Sequence, residues 1–206
     1  GKKLVANPGC YTTCSPLAIA PAIVNGLVST KGIICDCKSG VTGAGRKPNQ
    51  GNHYPELNEG FHAYKVASHR HTPEIEQTLS KLSGEKVIIT FVPHLLPVNR
   101  GILATVYADI KDGVTFEQIR KAYEDFYKDE FFVRLLDDGK CADIHNIKYS
   151  NFCDVSIHHD KRANKFVACA AIDNMVKGAA GQAIQNMNII FGLDEKTGLV
   201  IVPPAF

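Results

Sequence analysis

The chain has 206 residues, 45% hydrophobic and 21% charged, with 23 Lys plus Arg against 21 Asp plus Glu and a formal charge of +2. That is the composition of an ordinary folded protein of one to two domains, at about 150 residues each, and it excludes a disordered chain. The balanced charge speaks against nucleic-acid or anionic-membrane partners, and no apolar run approaches the ~20 residues of a spanning helix.

Residues 4–6 are a short apolar run ending in the turn signal Asn7-Pro8-Gly9. An Ala-rich apolar stretch then predicts a buried helix to about Val24, stopped by Asn25-Gly26, with a kink or late start imposed by Pro16 and Pro21. Residues 32–38 read as a strand, and 39–60, rich in Gly, Asn and Pro, as a long loop of the length that is either functional or disordered. Residues 61–68 are a second strand candidate. Thr72 reads as the N-cap of a helix with Pro73 in its first position. Strands follow at 86–92 and 101–110, separated by a proline-rich bend over 93–101. Thr115 and Gln118 make a capping box for a helix to about Tyr127. Residues 151–159 and 165–172 flank a hairpin turn, and a last helix spans 177–190. The pattern is α+β: helices on one face of a largely antiparallel sheet.

Seven cysteines at irregular spacing, among apolar neighbours and without a CxxC pair, read as buried reduced thiols of a cytoplasmic protein in six cases. Cys10 is different. It follows a strand and a tight turn and opens a helix, where unpaired N–H groups stabilise a thiolate and receive an oxyanion. Ser39-Gly40-Val41-Thr42-Gly43-Ala44-Gly45-Arg46 is a glycine-rich turn able to nest an anion, with Arg46 for bidentate contact. His69 and His71 are two apart before a helix, suited to proton transfer, with Tyr64 upstream to orient substrate or histidine. As a metal site the pair lacks further ligands in sequence. Arg100 lies in the proline bend as a further cation. Small residues near Gly178 and Gly181 allow close approach of a ligand or of another backbone.

Together the segments Leu4 to Thr13 continuing to Pro21, Ser39 to Arg46, His69 to Glu74, Pro93 to Gly101 and Lys177 to Gln182 resemble, in order, the N-acetyl-gamma-glutamyl-phosphate reductases of arginine biosynthesis. Thr12 and Cys14 depart from the small residues or Pro more usual there. The resemblance implies a catalytic and dimerising α+β domain over 1–206, like the C-terminal domain of glyceraldehyde-3-phosphate dehydrogenase. The NADP-binding Rossmann half would be missing, in keeping with a start at Gly1-Lys2-Lys3 without Met; the fragment alone would then be inactive. It also implies that Cys10 is the nucleophile towards an acyl phosphate and His69 the acid–base, with His71 second and Tyr64 assisting. Ser39, Gly40, Arg46 and Arg100 would bind substrate; Gly9, Gly178, Gly181 and Gln182 would meet NADP; no metal is implied, and a homo-oligomer is. Aspartate-semialdehyde dehydrogenase is the nearest competitor, disfavoured by the His69-to-Glu74 block. A papain-like hydrolase using Cys10 and His69 lacks the usual cysteine context, and an inert, buried Cys10 would instead favour a non-enzymatic thiol or metal module.

Overall fold

The structure, a computed structural model, describes residues 4–203; the opening Gly1-Lys2-Lys3 lies outside them. Seven strands form one sheet in the order β2-β3-β1-β4-β7-β6-β5. They are β1 (Ile33–Gly40), β2 (His62–Ala63), β3 (Ile89–Leu96), β4 (Ile102–Asp109), β5 (Val133–Leu135), β6 (Cys153–Asp160) and β7 (Lys165–Ile172). Four of the six pairings are antiparallel; β1 with β3 and β5 with β6 run parallel. The α+β architecture with a largely antiparallel mixed sheet is the one expected.

In β1, β3 and β4 alternate residues are buried, as the two-residue period of a strand requires. The inward set, including Cys35, Cys37, Phe91, Ala104 and Val106, joins Phe166 and Ala168 of β7 under the helices α1 (Cys10–Val24), α3 (Thr72–Ser83) and α4 (Phe116–Tyr127). α1 lies centrally, on β4 and β7 and between α3 and α4. The opposite sheet face is partly covered at one end, where Ala142 and Ile147 pack on Ala171. A short helix, α2 (Tyr54–Leu57), and the last helix, α5 (Gly181–Ile190), complete the list.

Several boundaries differ from the sequence reading. α1 starts at Cys10 with both prolines inside it, so there is no late start. Pro21 has no N–H for the Leu17 carbonyl; the Tyr127 hydroxyl, 2.6 Å away, donates to it instead. Residues 61–68 supply only the two-residue β2, because Lys65 and Ala67 adopt left-handed backbone (φ 48 and 55). The 39–60 loop begins two residues late, Ser39 and Gly40 ending β1, and holds short helical turns. The cap position of α3 is His71, with Thr72 already helical. β3 is displaced forward and runs through Pro93. The Pro93 carbonyl accepts from Tyr64 N beyond the end of β2, so its missing N–H faces the sheet edge. The last helix opens with a wide π turn over Val176–Ala180. The capping box at Thr115 and the 153–172 hairpin stand as read. All seven cysteines are free, but Cys141 is exposed and Cys169 half-buried, so four besides Cys10 are fully buried rather than six.

Candidate active site

Cys10 is the first residue of α1, with Gly9 as the extended cap residue. Hydrogen bonding from the backbone N–H groups of Cys10 and Tyr11 favours the thiolate, as does the Arg70 charge. Burial outweighs them and holds the thiol pKa above its ordinary value. The resting group is therefore a thiol that needs a proton acceptor. Glu74, from the first turn of α3, reaches the same helix end: its Oε1 accepts from Gly9 N at 3.1 Å and lies 2.9 Å from the Thr12 hydroxyl. That hydroxyl is also 2.7 Å from Gly9 O. One carboxylate thus ties the starts of α1 and α3 together.

The histidines stand over this junction. A side-chain carbon at Gly9 would lie 2.5 Å from His71 Nε2, so glycine is what admits the ring. His69 Nδ1 accepts from the His71 backbone N–H at 3.1 Å, which puts the proton of neutral His69 on Nε2. The two rings are 4.8 Å apart, and Tyr11 meets both edge-on at 5.7 and 5.9 Å. Tyr64 meets His69 at 5.7 Å, and its hydroxyl is 3.0 Å from that of Tyr11. Both histidines are 8% exposed. Burial, then the neighbouring His71, Lys65 and Arg70, lowers the His69 pKa to about 4. His71 is also lowered, by burial first, with Glu74 opposing. Both are neutral at pH 7.

A cavity of about 490 Å³ is lined by Cys10, Tyr11, Tyr64, His69 and His71, together with Ser39, Gly40, Lys65, Arg70, Asn49 and Asn52. Of the predicted site residues it therefore joins Cys10, Tyr64, His69, His71, Ser39 and Gly40. Gly40 has no room for a side chain, since a Cβ would sit 2.8 Å from the backbone of Asn99 and Arg100. Arg46 is exposed and outside the lining. Arg100 is also outside it: its guanidinium bonds Asp173 at 3.0 and 3.2 Å and stacks over Tyr149. Asp173 is fully buried and further accepts from the N–H groups of Tyr149, Met175 and Val176. Sequence reasoning missed Arg70 and Glu74 as site residues. Both lie in the His69-to-Glu74 block, which the sequence marks for its two histidines.

The glycines expected to meet a cofactor are held by protein contacts. A Cβ at Gly178 would lie 2.8 Å from Cys10 Cβ, and one at Gly181 would lie 2.4 Å from Asn151 Oδ1. Gly178 is thus buried directly against the nucleophile, where only glycine fits. Gln182, half-buried, donates to Asn186 at 3.1 Å in the same region, where Asn186 also donates to Asn7. None of Gly9, Gly178, Gly181 and Gln182 lines the cavity. Among the described residues the one glycine-rich turn after a strand, Ser39 to Arg46, leads into a 3₁₀ turn rather than a phosphate-binding helix. Among them, too, no group of three or more His, Cys, Asp or Glu is placed to hold a metal, and no helix is long and apolar enough to cross a membrane.

The solved structures share this fold at low identity. Aspartate semialdehyde dehydrogenase II from Vibrio cholerae superposes with a TM-score of 0.71 at 15% identity, over 91% of this chain and 62% of that one. A probable aspartate-semialdehyde dehydrogenase from Pseudomonas aeruginosa gives 0.72 at 13% identity, over 91% and 62%. Sequence similarity is much stronger to proteins named N-acetyl-gamma-glutamyl-phosphate reductase. The chain is 56% identical to that of Brachyspira hyodysenteriae and 52% identical to that of Clostridium kluyveri, over 99% of its own length in each case. It spans 58% and 59% of those relatives' lengths. Residues 10–174 match the family described as semialdehyde dehydrogenase, dimerisation domain. From the thiol at the head of α1 to the last strand of the sheet, the chain belongs to that family.

Proposed function

We propose that the protein reduces an acyl phosphate, N-acetyl-glutamyl 5-phosphate, to N-acetyl-glutamate 5-semialdehyde with release of phosphate, as part of arginine biosynthesis in the cytoplasm. The observation that carries this reading is Cys10 itself: a half-buried thiol at the head of α1, in one cavity with two neutral histidines. The names of the relatives support the substrate, and the name of the family supports a homo-oligomer.

In this reading His71, whose ring stands over Gly9, the residue before the thiol, accepts the Cys10 proton. The thiolate attacks the acyl carbon, the C–S bond forms, and the C–O bond to phosphorus breaks with its electron pair leaving on phosphate. The Cys10 and Tyr11 N–H groups face the charge that develops there. His69, with Nδ1 already engaged, offers its Nε2 proton to the acyl oxygen. NADPH, when bound, supplies the hydride that brings the thioester to the aldehyde level. Gly9, Gly178, Gly181 and Gln182 shape the flank of Cys10 for that nicotinamide, and Tyr64 holds Tyr11 and His69 in place. The thiohemiacetal then collapses, returning the thiol and freeing the aldehyde.

The test is made on the whole protein. Cys10→Ser abolishes acyl-phosphate-dependent oxidation of NADPH while leaving the fold unchanged by circular dichroism. His69→Asn lowers kcat by about two to four orders of magnitude. Retained turnover in Cys10→Ser refutes the nucleophile. Faster turnover with aspartyl phosphate than with the acetylated glutamyl substrate would assign the aspartate chemistry instead.

A further inference from the structure

The cavity around Cys10 is charged in one sense only. Arg70 and Lys65 are its formally charged lining residues, and neither Asp nor Glu lines it. Neither cation pairs with a carboxylate within 4.0 Å among the described residues. Both residues are exposed, whereas the flanking His69 and His71 are buried. The chain holds them there at some cost: Lys65 and Ala67 take left-handed backbone, a conformation that non-glycine residues adopt only where the surroundings impose it. The turn so formed is closed by Ser68 N donating to Lys65 O at 3.1 Å. The two arginines that sequence reasoning favoured are placed otherwise: Arg100 is bonded to Asp173, and Arg46 stands outside the lining.

We propose that Arg70 and Lys65 are the anion-binding pair of this cavity, Arg70 taking the phosphoryl group that leaves the acyl carbon and Lys65 a second anionic group of the same substrate. The inference rests on the acyl-phosphate reading and extends it to the groups that hold the substrate. A planar guanidinium takes two phosphate oxygens at once, and an ammonium takes one as a point charge. The order follows from electrostatics. The Arg70 charge is felt at Cys10 and at both histidines, whereas that of Lys65 is felt at His69. The Arg70 charge therefore acts at the sulfur, where the leaving group departs. With both histidines neutral, the positive charge that meets the substrate comes from these two residues.

The probe is inorganic phosphate, and binding is measured without turnover. Phosphate is titrated calorimetrically into the protein at constant ionic strength, and the alkylation rate of Cys10 by iodoacetamide is followed in parallel. Phosphate is expected to bind and to slow alkylation. Arg70→Gln weakens phosphate binding by about tenfold or more, the loss of a charge-assisted bidentate contact. Arg70→Lys loses less, Lys65→Gln less again, and exposed Arg162→Gln in the hairpin turn nothing. Circular dichroism checks each fold. Parental phosphate affinity in Arg70→Gln, or its loss in Arg46→Gln instead, overturns the proposal. The two readings fail separately. Turnover lost in Cys10→Ser with phosphate binding intact in Arg70→Gln sinks the anion pair alone. Turnover intact in Cys10→Ser with binding lost in Arg70→Gln sinks the acyl transfer alone.

Discussion

Glu74 offers a sharp test of how the nucleophile is held, because its charge and its hydrogen bonds separate. Glu74→Ala removes both contacts of Oε1. The Gly9 N–H loses a charged acceptor, worth about 1.5 kcal/mol at the lower end for a half-buried bond to a charged group. The Thr12 hydroxyl turns to Gly9 O, 2.7 Å away, so its share is about 0.5 kcal/mol. The sum of about 2 kcal/mol lowers Tm by about 4–8 °C in a chain of this size. Glu74→Gln keeps an amide oxygen as acceptor, and its Tm stays within about 2 °C of the parent. Its chemical effect is different. The carboxylate raises the Cys10 thiol and opposes the lowering of His71, so its loss moves both pKa values down. The assay is the alkylation rate of Cys10 against pH, with the modified cysteine located by mass spectrometry, beside a thermal melt. A Glu74→Ala protein that melts with the parent, or a Glu74→Gln protein whose alkylation midpoint does not fall, would refute the reasoning.

Two further outcomes follow from other buried groups. Folding lowers His69 from its ordinary value near 6.5 to about 4, so between those values the unfolded chain binds the extra proton. Stability is therefore full above about pH 6.5 and is lost as pH falls towards 4; His69→Gln should flatten that part of a Tm-against-pH curve, and an unchanged slope would count against the burial of a neutral ring. Tyr127→Phe strands the Leu17 carbonyl that Pro21 leaves without a helical partner, costing about 1–1.5 kcal/mol and about 2–6 °C in Tm, measured by calorimetry.

Local chemistry was legible where the signal was local. Thr115 with Gln118, the hairpin around residues 160–164 and the helix opening at Cys10 are short-range patterns, and the structure has them. What sequence could not weigh was competition at a distance. Pro21 argues against a helix only until Tyr127, more than a hundred positions on, takes up the freed carbonyl. Pro93 argues against a strand only until its bare nitrogen is seen to face an edge. The three-residue β5 carries no alternation to detect. The same limit applies in the site. Cys10, His69 and His71 were marked by residue type, and they meet in one cavity. Which arginine joins them depends on where a buried carboxylate lies: Asp173 occupies Arg100, and nothing in the sequence says so.

The parallel pairing of β1 with β3 has a consequence for how such a site can change. Two strands that run the same way cannot be joined by a tight turn; the chain must travel back along the sheet between them. Here that return path holds Tyr64, Lys65, His69, Arg70, His71 and Glu74. Lengthening such a path costs only about 0.6 kcal/mol per doubling and leaves the ladder beneath untouched. The wall opposite Cys10 can therefore be rewritten by insertion or exchange while the sheet keeps its register. The side chains that face the substrate and the ladder of β1 with β3 are inherited by different stretches of the same chain.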